Sequence, residues 1–126
     1  MKQVAAAILE RDGTVLVARR AEGQAMAGAW EFPGGKLEPG ETPADCMVRE
    51  LREELGIAVA AGEELTRVVH RYPGGAIELI AIRATWLSGE IGLTVHDAVR
   101  WVAPADLAAL DLLPADVPVA RRLAEG

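Results

Sequence analysis

The sequence predicts an α/β sandwich. Three features point to it: β-suited runs that pair across Gly-containing turns, one strongly signalled amphipathic helix between them, and two short helical stretches near the end. At 126 residues the chain has the length of a single domain spanning 1–126, and 51% apolar residues suffice to bury a core without disulfides or a structural metal.

Val4–Glu10 and Thr14–Ala18 flank Asp12-Gly13, a dipeptide suited to the positive φ of a tight hairpin turn. From Ala21 to Pro43 the recurrence of Gly23, Gly28, Pro33, Gly34, Gly35, Pro39 and Gly40 allows no long regular element. Loops of that length in compact domains usually serve a function. A helix follows, with Thr42 as N-cap, Pro43 in its first turn, Asp45 closing a capping box and Gly56 just past its end. Its apolar positions Ala44, Val48, Leu51 and Leu55 form one core-facing stripe. Leu65–Tyr72 and Ala76–Leu87 read as strands around Pro73-Gly74-Gly75, and Ala98–Val102 as another. Pro104–Leu110 and Val117–Ala124 read as helices. Trp86 and Trp101 are expected in the core, Tyr72 and Ile77 in the core or a pocket, with the core favoured for Ile77, while Met26 and Met47 need no special role.

Nineteen acidic against thirteen basic residues give a net charge of -6, with no basic block to neutralise a nucleic-acid backbone. Polymeric nucleic acid is therefore not the expected partner, although a small phosphate substrate is admissible if a divalent cation supplies positive charge locally. A lone cysteine, Cys46, offers neither a disulfide nor a thiolate zinc site and suits a reducing cytoplasm. The N-terminal apolar run Val4–Leu9 is too short for a secretory signal or a membrane span.

Chemistry concentrates on the predicted helix, where Glu50, Glu53 and Glu54 share one face within an arc of about 100°. Like charges at this spacing repel, and hard carboxylate oxygens suit magnesium or manganese. A solvated face stitched by Arg49 to Glu53 is the plainer explanation of the triplet taken alone. The segment before it, Gly34-Gly35-Lys36-Leu37-Glu38-Pro39-Gly40-Glu41, is a Gly-rich loop whose backbone groups are able to approach a metal-bound phosphate chain.

Together Gly35, Glu41, Arg49, Glu50, Leu51, Arg52, Glu53, Glu54, Leu55, Gly56 and Ile57 match the Nudix box, G-x5-E-x7-R-E-U-x-E-E-x-G-U with U aliphatic, over residues 35–57. The chain therefore resembles a Nudix hydrolase. Phe32-Pro33-Gly34-Gly35-Lys36, Ala18-Arg19-Arg20 and Leu113-Pro114-Ala115-Asp116 extend the likeness to the MutT branch, with features of its CTP pyrophosphohydrolase and 8-oxo-dGTP diphosphatase types.

The resemblance implies an α/β/α sandwich with a mixed sheet. It also implies a magnesium-dependent hydrolase (manganese a substitute) that converts nucleoside triphosphates to monophosphate and pyrophosphate by attack of water. Glu50, Glu53 and Glu54, with a carbonyl of Gly34 or Gly35, are implied metal ligands, and Glu50 also the general base. Arg49 is implied to orient these carboxylates, with a structural or secondary metal role for Glu41. Arg20, Glu31, Phe32, Pro33, Gly34 and Asp116 fall at substrate-contacting positions, Arg20 on the phosphates and Asp116 on the base edge, with Phe32, Val4, Ala6, Leu113 and Pro114 as apolar walls. Read without the family, Arg20 is a surface charge and Asp116 the cap of the last helix.

The chain departs from the pattern at Val95, where MutT-like proteins carry a loop glutamate six residues before the matching tryptophan, here Trp101. His96, Asp97 and Glu90 are nearby substitutes but read more simply as solvated loop residues. The implied substrates are 8-oxo-dGTP or CTP, dCTP and modified cytosine nucleotides, for a monomer or homodimer. The alternatives are ADP-ribose or dinucleoside polyphosphates as substrates, or a nucleotide-binding module without hydrolysis.

Overall fold

A computed structural model describes all 126 residues, Met1 to Gly126. The architecture follows from β1 (Lys2–Arg11), whose run Ala5–Leu9 is buried without interruption. A strand covered on both faces needs such a run, and successive residues divide between two cores. Ala5, Ala7 and Leu9 join one apolar cluster, Ala6 and Ile8 the other.

β1 lies parallel to β6 (Gly75–Ser88), which pairs antiparallel with β5 (Ala58–Tyr72). Two further partners bind β1 at different heights: β4 (Gly34–Lys36) along Val4–Ala6 and β2 (Thr14–Arg20) at Glu10–Arg11. β2 also pairs with β3 (Trp30–Glu31) and β7 (His96–Val102). The sheet is therefore mixed. Between β2 and β4 the Ala7 N–H donates to the Pro33 carbonyl at 2.8 Å, which holds the loop across the split.

α1 (Pro43–Leu55) packs on one face of the sheet and α2 (Val117–Ala124), with the 3-10 turns Pro104–Ala109 and Pro114–Asp116, on the other. This is the expected α/β/α sandwich. No helix is long and apolar enough to cross a membrane.

The predicted hairpin at Asp12-Gly13 is present, and so are both ends of α1. Thr42 Oγ1 accepts the Asp45 N–H at 3.1 Å, and Gly56 ends the helix at φ 72°.

Three expectations change. The buried positions of α1 are Cys46, Met47, Leu51 and Leu55, with Ala44 and Val48 only half-buried, because the start of the helix rests on β4 and turns Cys46 and Met47 inward. β5 begins at Ala58 rather than Leu65, its first half irregular between Ala61 and Thr66. The stretch after Pro104 is 3-10 rather than α. Of the two places open to Ile77, the structure gives the pocket: it is half-buried and lines a cavity. Trp86 and Trp101 stack at 6.2 Å on the margin of the α1-side core, with the Arg11 guanidinium against both rings.

Met47→Ala should cost about 2–5 kcal/mol, as fully buried truncations do. Val48→Ala should cost about 1 kcal/mol or less, since Val48 already meets solvent. Urea unfolding midpoints at unchanged slope give both values, and equal losses would contradict the packing of α1 described here.

Candidate active site

The loop before α1 and the helix itself are joined by one side chain. Arg49 makes a two-pronged contact with Glu41, Nε to Oε2 at 2.8 Å and Nη2 to Oε1 at 2.9 Å. Its Nη1 donates to Glu50 Oε1 at 2.9 Å and Glu53 Oε2 at 3.1 Å, and its Nη2 to the Lys36 carbonyl at 3.2 Å. Fork geometry of this kind is particular to guanidinium. Arg49, and secondarily the Glu38 N–H, hold the Glu41 carboxyl down at about 2.

Gly34 and Gly35 permit the close approach. A Cβ on Gly34 would overlap the Ala5 carbonyl of β1, and one on Gly35 would enter the Glu50 carboxylate.

The three helix carboxylates have separate surroundings. Glu50 is mostly covered beside Gly35 and Arg49, whereas the Glu53 side chain is 59% exposed and lies along Arg49. Glu54 is half-buried, and its Oε2 is fully buried without a hydrogen-bond partner. Burial pushes the Glu54 carboxyl up to about 8, reinforced by the negative charges of Glu50 and Glu31 and opposed by Arg20. The triplet does not converge on one point as a closed cluster. The plain Arg49–Glu53 pairing thus coexists with one carboxylate, Glu50, set against the loop at Gly35 and another, Glu54, buried at one oxygen.

Next to this helix lies a cavity of about 200 Å³ with apolar walls that include Val4, Ala6, Phe32, Ile77, Leu79 and Leu113. Pro114 is exposed and does not line it, and Pro33 is buried behind the wall, bonded to β1. Arg20, Glu31 and Asp116 supply most of its polar chemistry, and Gly34 and Gly35 form the side nearest Glu50. Asp116 is only 4% exposed and accepts the Phe32 N–H through Oδ2 at 3.3 Å; it makes no side-chain cap on α2. Burial, with the Glu31 charge second, raises its carboxyl to about 8.

Arg20 is not a free surface charge. Its Nη1 contacts both Glu31 oxygens, at 3.2 and 3.0 Å, and its Nε donates to the Ala25 carbonyl.

The region around Val95 departs from expectation. Val95 is half-buried and its carbonyl accepts the Ala21 N–H at 3.1 Å, while Asp97 pairs outward with Arg19 at 2.7 Å and Glu90 is exposed. His96 is not a solvated loop residue: it is 3% exposed, with Nε2 2.8 Å from Glu31 Oε2. The signal for it was present in the alternation of β7, where His96 and Ala98 share a face and Ala98 packs on the α2-side core.

Comparison with known proteins gives one answer at the family level. A family model described as NUDIX domain matches residues 1–123. The CTP pyrophosphohydrolase of Escherichia coli (strain K12) is 41% identical over 119 residues, covering 94% of this chain and 88% of that protein. A putative 8-oxo-dGTP diphosphatase 2 of Mycobacterium tuberculosis (strain H37Rv) is 39% identical over 120 residues, covering 90% of this chain and 81% of the relative. Among solved structures, the solution structure of the E. coli ORF135 protein superimposes with a TM-score of 0.90 at 39% identity, over 99% of this chain and 89% of that one.

Asp116 makes stability depend on pH with a definite sign. Its carboxyl holds a proton in the folded chain from 3.8, its ordinary value, up to about 8, whereas the unfolded chain releases that proton near the lower limit. Stability therefore falls as pH rises through this window. Thermal unfolding with a chelator present should show a declining Tm between those limits and a shallower decline in Asp116→Asn. Identical slopes in the two proteins would remove Asp116 as the source.

Proposed function

The chain belongs to the Nudix family, and from that premise we propose that it is a magnesium-dependent nucleoside triphosphate pyrophosphohydrolase that clears the nucleotide pool of CTP, dCTP and modified cytosine nucleotides, of 8-oxo-dGTP, or of both. It is a MutT-like hydrolase of phosphoric anhydrides; the divalent ion and the base are the proposed part. One observation carries the reading: Gly35 borders both the base-sized cavity containing Asp116 and the carboxylate of Glu50. A nucleotide whose base rests against Asp116 has Gly34 and Gly35 between itself and the Glu50 carboxylate.

The residues present fit a hard divalent cation. The donors are all oxygen, Glu54 offers a buried oxygen with no other partner, and the notch at Gly35 is one that a side chain would fill. Glu50, Glu53 and Glu54, with a carbonyl of Gly34 or Gly35, would hold it, Glu53 by leaving Arg49, which its exposed side chain permits. When bound, the cation supplies Lewis-acid polarisation of the phosphates and a water of lowered pKa.

Arg49 fixes the loop and Glu50 in one arrangement, so that catalytic groups need little reorganisation as the reaction proceeds. Glu50, with Oε1 on Arg49, is the proposed proton acceptor from the attacking water. Arg20 meets the phosphates. Asp116 and Glu31, on a wall otherwise apolar, meet the N–H groups of the base. Cytosine presents its exocyclic amine and 8-oxoguanine its N7–H, both of which a carboxyl oxygen accepts. The 41% identical relative is named for CTP, so cytosine nucleotides come first among the substrates to compare.

Pyrophosphate release with magnesium, compared as kcat/KM over CTP, dCTP, 5-methyl-dCTP, 8-oxo-dGTP and dGTP, tests the proposal. Glu54→Gln should lower kcat at least about 100-fold while its Tm and circular dichroism stay near wild type. Failure of the wild type to hydrolyse any triphosphate with magnesium or manganese, or wild-type turnover in Glu54→Gln, would overturn it.

A further inference from the structure

Glu31 lines the cavity together with Arg20 and Asp116. Two side chains hold it there. Arg20 reaches both of its oxygens through Nη1, and His96 Nε2 lies 2.8 Å from Oε2. The His96 ring has no exposed side-chain surface, and its Nδ1 is buried without a partner. Phe or Leu would fill that volume without leaving a nitrogen unpaired, so the ring is accounted for by what Nε2 does rather than by packing.

Arg20 has competing tasks. It lines the cavity, is anchored at the Ala25 carbonyl and spends Nη1 on Glu31. A phosphate group arriving at that wall is a stronger claimant on a guanidinium than one already-shared carboxylate. Once Arg20 turns to it, Glu31 loses its cationic partner and keeps only the contact with His96 Nε2.

We propose that His96 is a positioning residue: through Nε2 it keeps the Glu31 carboxylate in the cavity wall while Arg20 exchanges that carboxylate for a substrate phosphate. The inference rests on the triphosphate reading above and adds to it the residue that makes the exchange of partners tolerable. Without His96, Glu31 follows Arg20 and competes with the phosphate for it. Substrate binding weakens more than the chemical step slows.

The test is a double-mutant cycle between His96 and Glu31, read as KM and kcat separately on the best triphosphate of the panel. His96→Ala should raise KM about tenfold and change kcat less than about threefold. His96→Phe, which restores volume without a donor, should match His96→Ala, and His96→Gln, which offers an N–H near the Nε2 position, should recover most of the loss. In a Glu31→Gln background, where the neutral amide no longer competes for Arg20, His96→Ala should change KM less than about twofold. Additive effects, wild-type KM in His96→Phe, or a fall in kcat alone would overturn the proposal, with Tm recorded for every variant. Nitrogen-15 spectra of the His96 ring give a second readout that needs no activity: the Nε2–H resonance should carry the signature of a carboxylate hydrogen bond and lose it in Glu31→Gln. If the wild type hydrolyses no triphosphate, the functional reading fails; if the His96 resonance ignores Glu31→Gln, this inference fails by itself.

Discussion

The Arg49 guanidinium contacts Glu41, Glu50 and Glu53 and the Lys36 carbonyl, and the seating of the loop on α1 and the placement of the Glu41 and Glu50 carboxylates depend on that set of bonds. Acidic side chains gathered on one helix face repel, and a flexible loop beside them would open. One planar cation with its donors arranged as a fork satisfies several acceptors at once, which a lysine ammonium does not reproduce. Because it binds loop and helix together, the Gly34–Gly35 segment stays against β1 and against Glu50, where neither glycine has room for a side chain. The loop and Glu50 are therefore held in register by the chain's own contacts.

The same economy of cations shapes the cavity. Arg20 is engaged with Glu31, and Asp116 and Glu54 are buried enough to hold protons toward neutral pH. Burial disfavours the charged form of a carboxyl, and a neighbouring anion disfavours it further. For Asp116 that anion is Glu31, and for Glu54 it is Glu50 first and Glu31 second. The split of the sheet at β1 makes this possible, because Glu31 and Phe32 on one side and Gly34 and Gly35 on the other arrive from a single short segment held by the Ala7–Pro33 bond.

What was legible in the sequence was what local chemistry dictates. Asp12-Gly13 closes a hairpin and Thr42, Pro43 and Gly56 bound a helix regardless of what packs against them, and the spacing of Glu50, Glu53 and Glu54 follows from helical geometry alone. The choice of Cys46 and Met47 over Ala44 and Val48 as the buried side of α1 is set by how the helix lies on β4, a tertiary fact. Residues 58–64, rich in alanine, glycine and glutamate, have little β-preference of their own and become strand because β6 offers a partner. His96 looked solvated because it follows a polar loop; its burial depends on β7 continuing one turn of alternation further than the apolar residues suggest. The carboxylate triplet was visible as a pattern, but that Glu53 would lie along Arg49 while Glu54 lost all hydrogen-bond partners at one oxygen depends on the packing around α1.

An acidic chain of net charge -6 is at first sight a poor receptor for a polyphosphate. The guanidinium groups nearest the cavity do not offset this, since Arg49 is committed to carboxylates and Arg20 is shared with Glu31. Besides Arg20 and Lys36 at the cavity, attraction for phosphate on the proposed reading comes from cations that the carboxylates themselves recruit, which is what a partly buried oxygen without a partner and an all-oxygen donor set are suited to do. On the proposed reading the acidic surplus is part of the mechanism: it lets the protein discriminate a metal-bound triphosphate from a bare anion, and it keeps extended nucleic-acid backbones, which bring many charges and few tightly held divalent ions, from settling on the same surface. Holding Glu31 in place belongs to the same logic. An anion fixed beside the phosphate path costs binding unless Arg20 is released at the moment the phosphate arrives, and a buried ring nitrogen hydrogen-bonded to Glu31 is a partner able to keep the carboxylate in the wall while that happens.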